Sequence, residues 1–215
     1  MSISVIADIV GSRELPDRAA AQRAIEDECA NVDRRLPPQA RAIHPLRAVV
    51  GDEFQGVFPS VRSALAATLL LRLVLPAGVE LRFGIGVGAS GEIPSQTGAL
   101  AEGPAWWAAR AAVEHVEQLA QREVAQARTW VVADEAEGSA VDELVRIANA
   151  GALTRDRIIG RWSDRVRHLV SGRIAGATQV ELAEAEQISQ SAVSQTLSAA
   201  GATTIILAYE ELTRA

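Results

Sequence analysis

Across residues 2–10 the chain is almost unbroken in apolar side chains, which predicts a strand buried on both faces. The period then changes. From Pro16 onward, apolar Ala21, Ile25, Cys29, Val32 and Leu36 recur at the spacing of one helix face, and Pro37-Pro38 stops the helix. Two strand-like runs follow over 43–50 and 54–58, separated by Gly51-Asp52-Glu53, which is a hairpin signal with glycine at the turn. Ser60 can cap a second helix that ends near Leu75, before Pro76-Ala77-Gly78. Residues 81–87 read as a fourth strand, rich in glycine where another backbone or a ligand comes close.

This βαββαβ order is the split unit of ferredoxin-like sheets. In that topology the second strand runs parallel to the first, and the third pairs between them antiparallel. The end of the first strand and the hairpin turn then share one sheet edge. Asp8 and Asp52 come within metal-bridging reach although 44 positions separate them. Beyond the unit, the pattern predicts a polar loop over 92–103, a long helix over 104–128, a strand over 129–133 and helices over 139–150 and 154–171. A last helix is predicted over 204–214. The fold class is α/β (α+β): a ferredoxin-like palm domain over 1–151, followed by an all-helical domain over 152–215, with the boundary near Gly151.

Composition narrows the function. Hydrophobic residues at 48% and charged residues at 22% describe an ordinary globular chain and not a disordered one. The most apolar stretch, 63–75, is too short to span a bilayer and carries Arg72. The first residues lack a basic region and a cleavage site, so the expected location is the cytoplasm, with no membrane partner. A single cysteine, Cys29, excludes an internal disulfide and a thiolate cluster, and His44, His115 and His168 show no ligand spacing. Every basic residue is arginine, which excludes a Walker or Schiff-base lysine and leaves arginine to clamp phosphates. The net charge of −6 resides in the first 152 residues, with 14 Arg against 20 acidic groups; residues 153–215 carry 7 of each.

The chemistry centres on two short carboxylate motifs, Ala7-Asp8-Ile9-Val10-Gly11-Ser12-Arg13 and Gly51-Asp52-Glu53-Phe54. Carboxylates at turns that converge in space hold a hard divalent cation against a phosphate chain. A nucleotide with Mg2+ or Mn2+ is therefore the expected ligand. Taken singly, Asp8 also reads as a turn cap and Asp52-Glu53 as a solvated hairpin tip.

Together with Arg82-Phe83-Gly84-Ile85-Gly86-Val87-Gly88 and Gly103-Pro104-Ala105-Trp106-Trp107-Ala108-Ala109-Arg110, these motifs resemble the catalytic domains of class III nucleotide cyclases and, more loosely, GGDEF diguanylate cyclases. The full series, with the C-terminal segment below, is closer still to the bacterial SatD family. The resemblance implies Asp8 and Asp52 as metal ligands, with the Ile9 carbonyl as a third. It implies that backbone N–H groups of Val10, Gly11 and Ser12 cradle phosphates, with Arg13 as a clamp and Glu53, Trp107 and Arg110 at the nucleotide. The chain departs from the cyclase pattern in having Trp107 where an Asn stands and Arg110 one place short of the usual Arg. Adjacent Trp106 and Trp107 point about 100° apart on a helix, so one can stack on a base while the other packs in the core; both serving as core or dimer contacts is the favoured alternative.

Residues 178–195 resemble the helix-turn-helix of bacterial regulators. Small Ala183 sits where two helices cross, apolar Ile188 and Val193 sit where they pack, and Ser189 can cap the second helix. Gln190, Ser191, Ser194 and Gln195 then project from the start of a recognition helix, with Gln179 on the helix before it. Gln187 occupies the turn position usual for glycine, at a cost of about 1 kcal/mol for a left-handed backbone. Arg155, Arg157, Arg161, Arg165, Arg167 and Arg173 are the available phosphate contacts. A helical hairpin used for packing or dimerisation is the alternative.

The leading reading is a DNA-binding transcriptional regulator, acting as a homodimer on duplex DNA, whose cyclase-like domain binds a nucleotide with Mg2+. An active nucleotidyl cyclase or nucleotidyltransferase with a C-terminal docking module is the second, and a dimerisation scaffold the third.

Overall fold

The computed structural model describes residues 1–95 and 98–215. The chain runs β1 (Ser2–Ile9), α1 (Arg18–Arg35), β2 (His44–Val50), β3 (Glu53–Phe58), α2 (Val61–Val74), β4 (Leu81–Gly88), β5 (Gly91–Ser95) and β6 (Gly98–Glu102). It continues through α3 (Pro104–Arg122), β7 (Thr129–Ala133), α4 (Ser139–Ile159), α5 (Asp164–Ile174), α6 (Gln179–Ala185), α7 (Gln190–Ala199) and α8 (Ala202–Thr213). Five strands form one mixed sheet in the order β2-β3-β1-β4-β7. Pairing is antiparallel except between β4 and β7, and β3 lies between β2 and β1, as the βαββαβ order requires.

Alternation along β1 assigns its two faces. Val5, Ala7 and Ile9 join Phe54, Phe83 and Ile85 in the main core under α1 and α2. Ile6 instead packs with Val57 of β3 and with Trp106, Ala109 and Val113 of α3. Two glycines of β4 set how closely α3 approaches. A Cβ at Gly86 would lie 1.9 Å from the Ala105 carbonyl oxygen, and one at Gly84 would lie 2.2 Å from that of Ala109.

The helix α2 is capped by the Ser60 hydroxyl, which accepts from the Ser63 N–H, and is buried almost all round. An apolar helix of this kind needs cover on every side. The sheet and α1 supply one side, and α5 and α8 the other, so the apolar core runs on from Val5 and Phe83 to Leu169, Val193 and Ile205. The buried charged residue of this helix, Arg72, meets Asp156 of α4 at 2.6 Å. Asp156 also accepts from Arg155 and from the Arg128 N–H, while Arg155 donates to the Leu65 carbonyl and to Thr129.

The structure revises several expected boundaries. Residues 139–159 form one helix, so no break occurs at Gly151, which is exposed with nothing near its Cβ position. One glycine costs a helix about 1 kcal/mol, and the buried face of Ala148, Ala152, Arg155 and Ile159 outweighs that. The helix expected to reach 128 stops at Arg122, where the Glu123 and Val124 N–H groups both bond to the Leu119 carbonyl and turn the chain into β7. The polar loop expected over 92–103 contains the paired strands β5 and β6; residues 96 and 97 lie outside the described ones. No helix among the described residues is long and apolar enough to cross a membrane.

Two substitutions separate close packing from helix propensity. Gly86→Ala should destabilise the protein by about 3 kcal/mol, because the added methyl meets helix backbone. Gly151→Ala should stabilise it by about 0.5–1 kcal/mol, being exposed within a helix. Urea unfolding of each variant measures both.

Candidate functional site

In the strand register, Asp8 stands directly between Glu53 of β3 and Arg82 of β4. By alternation all three side chains lie on the sheet face covered by α3, the face that carries Ile6. The Arg82 guanidinium is nearly buried and bridges Asp8 and Glu117 of α3, at 3.2 and 2.9 Å. Beside it, Glu53 accepts from Gln55 at 2.8 Å and from Arg110 at 2.5 Å. Asp52, at the hairpin tip, is partly exposed, with Arg18 at 3.9 Å. The outcome is a row of carboxylates, each facing an arginine.

Among the described residues, two buried atoms in this row have no hydrogen-bond partner, Asp8 Oδ1 and Arg82 Nε. Burial raises the Asp8 carboxyl to about 6 against the pull of Arg82, with Glu117, Asp52 and Glu53 adding to the rise. Such a carboxyl can exchange a proton for a cation near neutral pH. The donor set suits a hard divalent ion in kind, being carboxylate oxygens with one of them unpartnered. Among the described residues, no group of three or more His, Cys, Asp or Glu already converges as a ligand set. A cation on Asp8 and Asp52 would share them with Arg82 and Arg18.

The other expected nucleotide contacts are more scattered. Ile9 is buried in register with Leu81, and the Val10 N–H donates to the Glu80 carbonyl at 2.9 Å, so that donor is already used in the sheet. Gly11 takes a left-handed backbone, φ 63°, and its carbonyl accepts from the Glu14 N–H, turning the chain past Ser12 and exposed Arg13. Trp106 is the packed member of the tryptophan pair. Trp107 is 61% exposed and donates its indole N–H to Glu102. Arg110, one place short in sequence, nevertheless reaches Glu53. Sequence reasoning assigned no role to Arg82 or Glu117. The available signal was a charged residue in an apolar strand, two positions before Gly84 and hence on the same face.

The C-terminal segment forms α6, a turn and α7. Thr178 and Glu181 make a reciprocal capping box at the start of α6, and Ser189 caps α7 by accepting from the Ala192 N–H. Gln187 adopts φ 54°, the only positive φ at a non-glycine among the described residues. Ala183 and Val193 are buried, and Leu182 sits against Gly172 of α5, where a Cβ would be 2.5 Å from its methyl. Gln190, Ser191, Ser194 and Gln195 are all exposed, and the Gln190 amide donates to Gln179 at 2.6 Å. The arginines divide differently from expectation. Arg155 is 6% exposed and committed to the core, which removes it as a phosphate contact. Arg167 bonds to Asp164 and the Arg72 carbonyl, Arg173 to the Ala177 carbonyl, and Arg165 to Glu186. Arg157 pairs with Gln126, and Arg161 is exposed.

The raised Asp8 carboxyl has a signature in stability. Folded protein keeps a proton that the unfolded chain releases at 3.8, so this contribution is complete below 3.8 and is lost as the pH rises to about 6. Asp8→Asn lacks the titration. The stability of the parent minus that of Asp8→Asn should therefore fall between pH 4 and 6 and level off above, as followed by urea midpoints; a flat difference would contradict the assignment.

Compared with known proteins, two solved structures described as a bacterial light-regulated adenylyl cyclase are similar to this chain, at 13% and 15% identity with TM-scores of 0.42 and 0.40. Each match covers 60% of this chain, and 42% and 74% of the respective structures, so the chain spans under half of the first. No curated protein matches. The family model described as the SatD family matches residues 2–211. With that match running almost end to end, the chain belongs to the SatD family.

Proposed function

We propose that this protein is a DNA-binding regulator that acts as a homodimer and whose sheet domain binds a nucleotide with a divalent cation. The observation that carries the first half is the exposed polar start of α7, held by the left-handed Gln187 turn and by α5 packing. A neutral helical segment of this kind offers few phosphate contacts alone, which favours a dimer. The amides of Gln190 and Gln195 suit adenine, and the bond to Gln179 orients Gln190 before any base is met.

The second half is supported by the unpartnered Asp8 oxygen beside Asp52 and Glu53. Asp8 and Asp52, with the Ile9 carbonyl, would hold the cation. Bound there, it would neutralise a phosphate chain lying along Gly11, Ser12 and Arg13. Trp107 stands at the position where the cyclase pattern supplies a transition-state donor, and an indole offers only its N–H, here given to Glu102. Binding is accordingly favoured over rapid turnover.

Each half has its own test. Selection of duplexes from a random pool, followed by mobility shifts, should yield a preferred site on which Gln190→Ala or Gln195→Ala costs about 1–3 kcal/mol. Failure to prefer any duplex over random DNA would leave packing as the role of α7. Calorimetry with nucleoside triphosphates should show Mg2+-dependent binding that Asp52→Asn abolishes. Unchanged affinity in both Asp8→Asn and Asp52→Asn would refute the nucleotide site.

A further inference from the structure

On the sheet face opposite Asp8, a cavity of about 340 Å³ opens where the end of α2, the turn before β4 and the α4–α5 junction meet. Its apolar walls include Leu75, Val79, Ile159 and Trp162. Its charged walls are Arg72, Glu80, Asp164 and Arg167. Arg72 stands apart because it is only 7% exposed, yet it lines the cavity. Among the described residues, Asp156 is the one acceptor that its guanidinium meets, through Nη1. A guanidinium carries five N–H donors, so most of those on Arg72 remain available.

The surrounding charges do not cancel. Arg72 and Arg155 share the single carboxylate of Asp156, Glu80 is taken by Arg128 at 2.6 Å, and Asp164 is taken by Arg167. Four arginines thus face three carboxylates. The surplus positive charge belongs to a pair that bulk water hardly reaches, and an uncompensated buried charge is costly.

We propose that this cavity binds a small organic monocarboxylate, with the carboxylate on Arg72 and an apolar body against Leu75, Val79 and Trp162. One negative charge matches the surplus, whereas a phosphate dianion would exceed it and meet Glu80 and Asp164. A planar carboxylate also suits the guanidinium fork. The volume lies at the lower end of the about 300–1,000 Å³ typical of small-molecule sites. Trp162 extends the consequence, because its indole N–H donates to the Ala200 carbonyl at the end of α7, at 3.1 Å. An occupant of the cavity therefore touches a side chain tied to the helix proposed to read DNA, although the site itself stands without that proposal.

The test reads the indole N–H resonances of the four tryptophans in the full-length protein by NMR, with the Trp162 signal assigned through Trp162→Phe. Benzoate and isovalerate are titrated, each against its own amide, alongside inorganic phosphate. At least one acid should shift the Trp162 signal saturably, leave that of exposed Trp107 in place, and bind at least about tenfold more tightly than its amide. Phosphate should leave the Trp162 signal unmoved, and Arg72→Met should abolish the acid response. No saturable shift with either acid, equal binding of acid and amide, or preference for phosphate would each overturn the proposal. The acid and amide comparison uses the unaltered chain, so it decides even if Arg72→Met fails to fold.

Discussion

Asp156 has no exposed surface, and the placement of α2 depends on it. A helix buried almost all round carries Arg72 into the interior, which is tolerable only if a carboxylate meets the guanidinium there. Asp156 comes from α4, and its neighbour Arg155 reaches back to the Leu65 carbonyl of α2 and across to Thr129 of β7. Burial disfavours the Asp156 anion, but Arg155, Arg72 and the Arg128 N–H outweigh it and hold the carboxyl below the usual range. Helix α2, helix α4 and the sheet edge are thereby fastened by one buried charge cluster. One of its members, Arg72, also lines the cavity beside Trp162.

The same logic of paired charge governs the opposite sheet face. Asp8, Glu53 and Arg82 are forced abreast by strand register, and α3 can cover them closely because Gly84 and Gly86 leave room for its backbone. Closeness has an electrostatic result. Asp8 is desolvated among three other carboxylates, and Arg82 compensates it only in part, leaving one oxygen unpartnered. That arrangement sacrifices some stability for a carboxyl that burial holds protonated above the usual range, and perturbed groups of this kind cluster at functional sites.

In the helical half, packing and exposure are cleanly divided. Ala183, Val193 and Leu197 face inward, while polar Gln190, Ser191, Ser194 and Gln195 of α7 face out. The strained backbone at Gln187 persists because the Ile188 N–H bonds to the Ala183 carbonyl and the capping bonds of both helices define the turn on either side.

Much of this was legible in the chain itself, because period and punctuation are local properties. The strand at 2–10, the helix after Pro16, the hairpin at Gly51 and the cap at Ser60 follow from side-chain alternation and turn chemistry. The convergence of Asp8 with the hairpin followed from topology, and the left-handed Gln187 from its place in the motif. Long-range pairing was not legible. Nothing near Arg155 in sequence says that it points inward to Thr129, nor that Arg82 bridges Asp8 to Glu117, since each partner lies on a distant element. Gly151 reads as a break from composition alone, but it lies within a helix because neighbouring turns bury Ala148, Ala152 and Ile159. Local pattern thus determined the elements and the residues able to carry charge; only tertiary packing decided which charges meet, because burial sets both their partners and the cost of lacking one.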